Sequence, residues 1–391
     1  MADHAILSAS AAHRWINCPP SARLEQQFPN ETSSYAAEGT FAHALAELKL
    51  SRAVANTVKP STFKKKLTAL QKDPFYSPGL EEYVDQYVAQ VSEIYLASVA
   101  KCKDTLVLLE QRLDFSHWVP GGFGTGDVII IGDDTLEVID LKYGKGIPVS
   151  AENNPQTRLY GLGAIEAFGT LYDFSKVRMT IIQPRLDIIS TEEMSVDDLV
   201  YWATNTVMGA AEKAWKGEGE FRPGDHCQFC RIKAACRARA EENLRLTQYD
   251  FREPELLTDE EIGDILTRAD ELMKWVKDIQ EYAFDQAYNH GKKYDGWKLV
   301  EGRSVRKYID EAKVAEVLKQ AGYSDGDIYK PKELLGITAM EKVTGKNTFY
   351  QLLGGLVIKP AGKPTLVPES DKRPEINSTA SAAEDFSNVL D

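Results

Sequence analysis

The sequence predicts an α/β protein: a central mixed sheet flanked by helices, with a helical arm and a small C-terminal module. Three observations predict it. Stretches of helical character occupy residues 36–50, rich in Ala and Leu, and 81–102. Short β-branched runs bounded by Gly and Asp follow at 105–110, 128–131 and 136–140. A helical stretch at 155–168 then precedes another β-rich run at 176–183. Runs that alternate between these two characters pack as a sheet covered by helices.

In chain order, Ser8-Ala-Ser-Ala-Ala-His13 starts a helix, with Ser8 or Ser10 as its cap. Residues 36–50 form a second. Residues 51–80 are mixed and basic, marked by Lys64, Lys65 and Lys66. A long helix covers 81–102, and the three strands follow. At 155–168, Asn153 or Asn154 can cap and Pro155 suits the first turn. A strand at 176–183, a helix at 196–216 and a cysteine-rich knuckle at 227–236 close the core. The organisation expected is a core over 1–245, a long charged helix within 246–291, a small basic α+β module over 292–366, and a disordered acidic tail over 367–391, where large apolar groups are few.

Bulk properties narrow the class. The chain has 391 residues, 43% of them hydrophobic, which is ample for a sizeable core. No run of about 18 apolar residues suggests a membrane span, and residues 1–20 lack the pattern of a signal peptide, so a cytoplasmic protein is expected. The net charge of −13 disfavours non-specific nucleic-acid binding. Contact with DNA then requires a local basic patch, or metal ions held by the carboxylates. Cys18, Cys102, Cys227, Cys230 and Cys236 are more consistent with metal binding than with disulfides in a reducing compartment.

The most informative stretch runs from Gly124 to Lys142. With Asp133-Asp134 as a two-residue turn, Gly132 faces Thr135 and Asp127 stands opposite Asp140. Alternation then places Lys142 on the face of Asp140. Two adjacent carboxylates resist ionising together, and a hard divalent cation such as Mg²⁺ or Mn²⁺ removes that penalty. A lysine alongside can stabilise charge building on a phosphate. Metal, water and cation together suit phosphodiester hydrolysis. The same residues also suit a plain acidic hairpin edge carrying a solvated Asp–Lys pair.

Gly126-Asp127, the run Val138-Ile139-Asp140-Leu141-Lys142, and Gln156-Thr-Arg-Leu-Tyr160 resemble, in this order, the motifs of PD-(D/E)XK nucleases of the RecB type. Gly39-Thr-Phe-Ala-His43 resembles that family's upstream histidine motif. The resemblance covers roughly residues 8–240 and implies a restriction-endonuclease-like core. It implies that His43, Asp127 and Asp140, with the backbone carbonyl of Leu141, hold Mg²⁺ or Mn²⁺. Lys142 matches the catalytic lysine, and Gln156 and Tyr160, at i and i+4 on one helix face, match residues that position the strand or the lysine. Glu110, ending a strand just before the hairpin, is a secondary candidate, and Glu38 lies near the motifs. His13, Arg14 and Trp15 are candidate DNA contacts.

A subset of that family, including the CRISPR-associated RecB-like exonucleases, carries one early cysteine and three after the core. Cys18 and Cys227-x₂-Cys230-x₅-Cys236 fit this split, which implies a [4Fe–4S] cluster clasping the N-terminal helix to the end of the core. The residues alone also allow Zn²⁺. His226 is a possible substitute ligand, and Cys102 is expected to be buried packing. The chain as a whole is similar to a family of phage proteins built on this plan. The resemblance therefore implies an exonuclease acting on DNA ends or single strands in phage recombination or replication, inside a bacterial host. A single-strand-binding or annealing protein is the implied partner, with no membrane. The alternatives are a DNA-binding scaffold with a nuclease fold and a zinc-knuckle adaptor.

Residues 292–365 carry 14 Lys/Arg against 9 Asp/Glu, interspersed with Trp297, Tyr308, Tyr329, Phe349 and Tyr350. That mixture suits nucleic-acid contact, and equally an ordinary solvated face. The acidic tail with its few apolar anchors could dock a partner.

Overall fold

The computed structural model describes residues 5–28, 34–245 and 257–298, with isolated positions between 313 and 351. The chain divides into two units, Met1–Gln286 and Ala287–Asp391. Most of the expected basic module and all of the expected tail lie outside the described residues.

Unit one begins with two short helices, α1 (Ala12–Asn17) and α2 (Ser21–Leu24). Three longer ones follow: α3 (Ser34–Ala53), α4 (Pro60–Leu70) and α5 (Pro78–Lys101). The sheet comprises β1 (Leu106–Asp114), β2 (Phe123–Gly132), β3 (Asp134–Leu141), β4 (Phe174–Gln183) and β5 (Ile188–Ser195). Helix α6 (Pro155–Phe168) connects β3 to β4. The strands lie in chain order. All neighbours are antiparallel except β3 and β4, which run parallel. The mixed sheet flanked by helices is the α/β fold that the sequence predicts.

Alternating side chains divide the core into two layers. Ile129, Ile131, Leu136 and Val138 face α1, α6 and the helices that follow β5. Val128, Ile130, Ile139 and Leu141 face α3 and α5. Burial of each such aliphatic side chain contributes about 1.5–3 kcal/mol. Helix α6 is buried from Thr157 to Ala164. Its Gly163 lets it approach the sheet: a Cβ there would stand 2.8 Å from Leu113 Cβ.

The hairpin turn forms as read. Gly132 pairs with Thr135, and Asp133 and Asp134 both take positive φ (48° and 60°), as a two-residue type I′ turn requires. Asn154 caps α6, its side chain accepting from Gln156 N–H at 3.0 Å behind Pro155.

Several local expectations change. Neither Ser8 nor Ser10 caps with its side chain: Ser8 precedes a short 3₁₀ turn (Ala9–Ala11), the two hydroxyls lie 3.3 Å from each other, and the α-helix begins at Ala12 behind Ala11. The single helix expected at 196–216 is α7 (Val196–Trp202), a π turn at Ala203–Val207, and α8 (Met208–Lys216). Its buried positions Leu199, Ala203, Val207 and Ala211 recur every four residues. That spacing drifts about 40° per step around an α-helix, and the wider π turn absorbs part of the drift. Cys102 is half-buried at the end of α5 rather than enclosed. Helices α9 (Arg237–Leu244) and α10 (Asp259–His290) complete the described elements of this region. Among the described residues, no helix is long and apolar enough to cross a membrane.

Candidate metal centre and cysteine cavity

The β2–β3 ladder ends at Val128–Ile139, where the strands fork. Asp127 and Asp140 are the next residues on either side. Asp127 Oδ2 accepts a hydrogen bond from Leu141 N–H at 2.7 Å, which bridges the fork. Asp127 Oδ1 meets His43 Nδ1 at 3.1 Å, joining α3 to β2. Burial alone would lower the His43 pKa. The hydrogen bond and negative charge of Asp127 outweigh it and raise the value to about 8.

Asp140 is buried, and burial raises its pKa. Its Oδ1 accepts from Gln156 Nε2 at 3.2 Å. Its Oδ2 lies 2.9 Å from Lys142 Nζ as an ion pair, but meets no donor at a hydrogen-bonding angle. Lys142 Nζ donates to Gln156 Oε1 at 2.7 Å, and Gln156 Nε2 also reaches Tyr160 Oη at 3.3 Å. One amide therefore fixes the lysine, the aspartate and the tyrosine together. The ring of Tyr160 lies on β2 at Gly124, where a Cβ would stand 2.7 Å from Cε1. Glycine at that position is what admits the ring. Gly39 has no comparable role, since a Cβ there meets nothing within 4 Å.

Glu110 is drawn in by an irregularity of β1. Leu109 pairs with Val128 and Gln111 with Gly126, which puts Glu110 across from Asp127. Glu110 takes a left-handed backbone instead (φ 47°), and that pair does not form. Ligand atoms of Glu110, Asp127 and His43 lie within 4.8 Å of one another. Partial burial and the charge of Asp127 raise the Glu110 carboxyl to about 7. Tyr87 of α5 lines the same small cavity with Leu141, and its buried hydroxyl has no hydrogen-bond partner.

The four cysteines of the split pattern meet around a second cavity, lined also by Arg14, His226 and Arg239. Cys18 ends α1, its N–H bonded to Arg14 O at 2.8 Å. The Cys-x₂-Cys turn closes through Cys230 N–H to Cys227 O at 3.0 Å, and Gly224 N–H points at Cys227 Sγ at 3.4 Å. Burial raises the thiol pKa of Cys18, Cys227 and Cys230, the last to about 12. Arg14 pairs with Glu25 at 2.7 Å and donates to Phe229 O at 3.1 Å, while Glu25 accepts from Arg231 N–H at 2.6 Å. These bonds tie the N-terminal helices to the knuckle. They also reassign two candidate DNA contacts: Arg14 is engaged internally, and Trp15 is buried with its Nε1 bonded to Ser8 O. His226 turns its Nε2 to Arg222 O at 2.9 Å.

The family model for DUF2800, described as a protein of unknown function, matches residues 4–374. The chain belongs to the DUF2800 family. Two solved structures are similar to part of it. SSO0001 matches at 17% identity and a TM-score of 0.27, over 59% of this chain and 85% of that one. The Eubacterium rectale protein named "Putative exonuclease" matches at 12% identity and a TM-score of 0.33, over 57% and 86% respectively.

In this DUF2800 chain, the six residues singled out around the hairpin (His43, Asp127, Asp140, Lys142, Gln156 and Tyr160) fall at one place, and Leu141 joins them through its N–H. Tyr87 is the residue that sequence reasoning missed. It sits within the regular apolar spacing of α5, which gives no signal of its own.

Proposed function

We propose that this chain is a DNA nuclease of the RecB type that depends on Mg²⁺ or Mn²⁺ and acts as an exonuclease on ends or single strands. The observation that carries the reading is the cluster of His43, Glu110 and Asp127 beside the Asp140–Lys142 pair. The donor set fits a hard divalent ion: carboxylate oxygens and one imidazole converge, and Asp140 Oδ2 is a buried acceptor without a hydrogen bond.

His43, Asp127, Asp140 and Glu110 would hold the ion. When bound, such an ion polarises the scissile phosphate and eases deprotonation of a water. The chain's own groups do the rest. Gln156 and Asp140 hold Lys142 Nζ in place, so its charge faces the phosphate without reorganising. Asp127 holds the imidazole of His43 against the carboxylates. Tyr160 braces Gln156 from the far side.

The second part of the reading is a structural [4Fe–4S] cluster on Cys18, Cys227, Cys230 and Cys236. Four unbridged thiols line one cavity. Their split order, with Cys18 ahead of the core and Cys227, Cys230 and Cys236 behind it, is the one that the iron–sulfur nucleases carry, and it favours the cluster over zinc.

The test is degradation of single- and double-stranded DNA labelled at either end, using anaerobically purified protein with Mn²⁺. Loss of label that disappears in Asp140→Ala supports the reading and gives the polarity. Equal loss in the variant removes it.

A further inference from the structure

We propose that the groove between α3, α4 and the free edge of β1 is the path by which one strand of DNA reaches the metal cavity. The proposal rests on the nuclease reading and adds where the substrate lies and what form it takes.

The groove encloses about 850 Å³. Its floor is apolar, built from Val107, Leu108 and Leu109 of β1 with Leu48 of α3 and Leu70 of α4. Its rim is basic. From Lys59 to Lys72 the sequence holds five lysines and no carboxylate, in a chain whose net charge is −13. All five are exposed, and none forms an ion pair among the described residues. Lys66 and Lys72 line the groove itself. Two carboxylates also line it. Asp73 is turned to Phe75 N–H at 2.9 Å. Glu47 lines both this groove and the cavity of His43, Glu110 and Asp127, so one side chain forms part of the wall of each.

Helix α4 has no buried residue, and stability alone does not explain three consecutive lysines on its surface. The nearest explanation is a polyanion. An apolar floor beneath a row of cations suits a single strand, whose bases turn to the floor while its phosphates track the lysines. A duplex hides its bases and has no use for that floor. A strand that follows the groove past Glu47 then comes beside the carboxylate cluster.

The experiment measures binding of a fluorescein-labelled poly-dT oligonucleotide by the full chain in Ca²⁺, over a series of salt concentrations. The proteins are wild type, Lys65→Glu/Lys66→Glu/Lys72→Glu, and Asp140→Ala. Circular dichroism shows whether each is folded, and Mn²⁺-dependent cleavage of duplex DNA is assayed in parallel. We expect at least tenfold weaker binding by the triple variant. Its plot of log K against log salt should flatten by about 2, at about 0.7 per lost phosphate contact. Asp140→Ala serves as the control for cleavage, which it should abolish. Unchanged affinity in the triple variant overturns the groove, as does a wild-type protein that does not bind the strand, even if duplex cleavage persists and the nuclease reading stands. Unchanged strand binding with an altered oligomeric state in the triple variant also overturns it, and makes the groove an interface between copies. Lysine-dependent binding without cleavage of any DNA leaves the groove standing and removes the nuclease.

Discussion

Glu110 faces Asp127 in the register of β1 and β2, yet the two do not pair, because Glu110 adopts a left-handed backbone at φ 47°. A non-glycine residue held there costs about 1–2 kcal/mol. The irregularity sits where its carboxyl joins His43 and Asp127 within 4.8 Å. Strain of this kind gathers at functional sites, and here it brings in a third carboxylate.

Glu110→Gly separates strain from function. Glycine accepts the left-handed backbone, so the metal-free melting temperature should hold or rise. The rise in melting temperature on adding Mn²⁺ should shrink, since one ligand is gone. Thermal melts with and without Mn²⁺ check both halves; an undiminished Mn²⁺ effect excludes Glu110 from the metal set.

The cysteine cavity predicts colour. Protein purified without oxygen should be brown and carry about four irons per chain. Cys227→Ser should lose the iron and melt at lower temperature, because cluster binding contributes to folding. Stoichiometric zinc in place of iron would establish the other metal.

Arg239 is fully buried and ion-paired at 2.6 Å to both Glu271 and Asp278 of α10. Arg239→Ala leaves Asp278 largely buried with only Lys233 as partner, and should cost about 3–5 kcal/mol in a denaturant titration. For Asp278, burial alone would raise the pKa, but hydrogen bonds from Lys233 and Arg239 lower it below the usual aspartate value. A depressed carboxylate stabilises the fold above its unfolded pKa of about 3.9 and loses that contribution as pH falls through the folded value. Asp278→Asn should therefore flatten the loss of stability below about pH 4; an unchanged acid limb in that titration would contradict the assignment.

Much of the candidate site was legible because it rests on local rules. Two positive-φ aspartates at a two-residue turn fix the hairpin register, and the register fixes Asp127 against Asp140. Proline and asparagine fix the start of α6, and its i, i+4 spacing sets Gln156 under Tyr160. What was not legible depends on tertiary contact. Glu110 enters through a backbone excursion that its own sequence neighbours do not encode. Tyr87 differs from any core aromatic only in facing carboxylates from other elements. Strand β5 alternates weakly, and α4 hides in a basic stretch because it buries nothing. The groove was invisible for the same reason: its floor and its lysines lie on elements about 40 residues apart.

Metal-dependent cleavage at this site is tested most directly by single-turnover cleavage of DNA at saturating Mn²⁺ by wild type and Lys142→Ala, with Mn²⁺ affinity measured separately. Lys142 Nζ is held by Asp140 and Gln156 but is not itself a metal ligand. Mn²⁺ affinity should stay near wild type, while the cleavage rate falls by about a hundred- to a thousand-fold. Cleavage by Lys142→Ala at the wild-type rate would contradict a catalytic role for the lysine and, with it, the nuclease site.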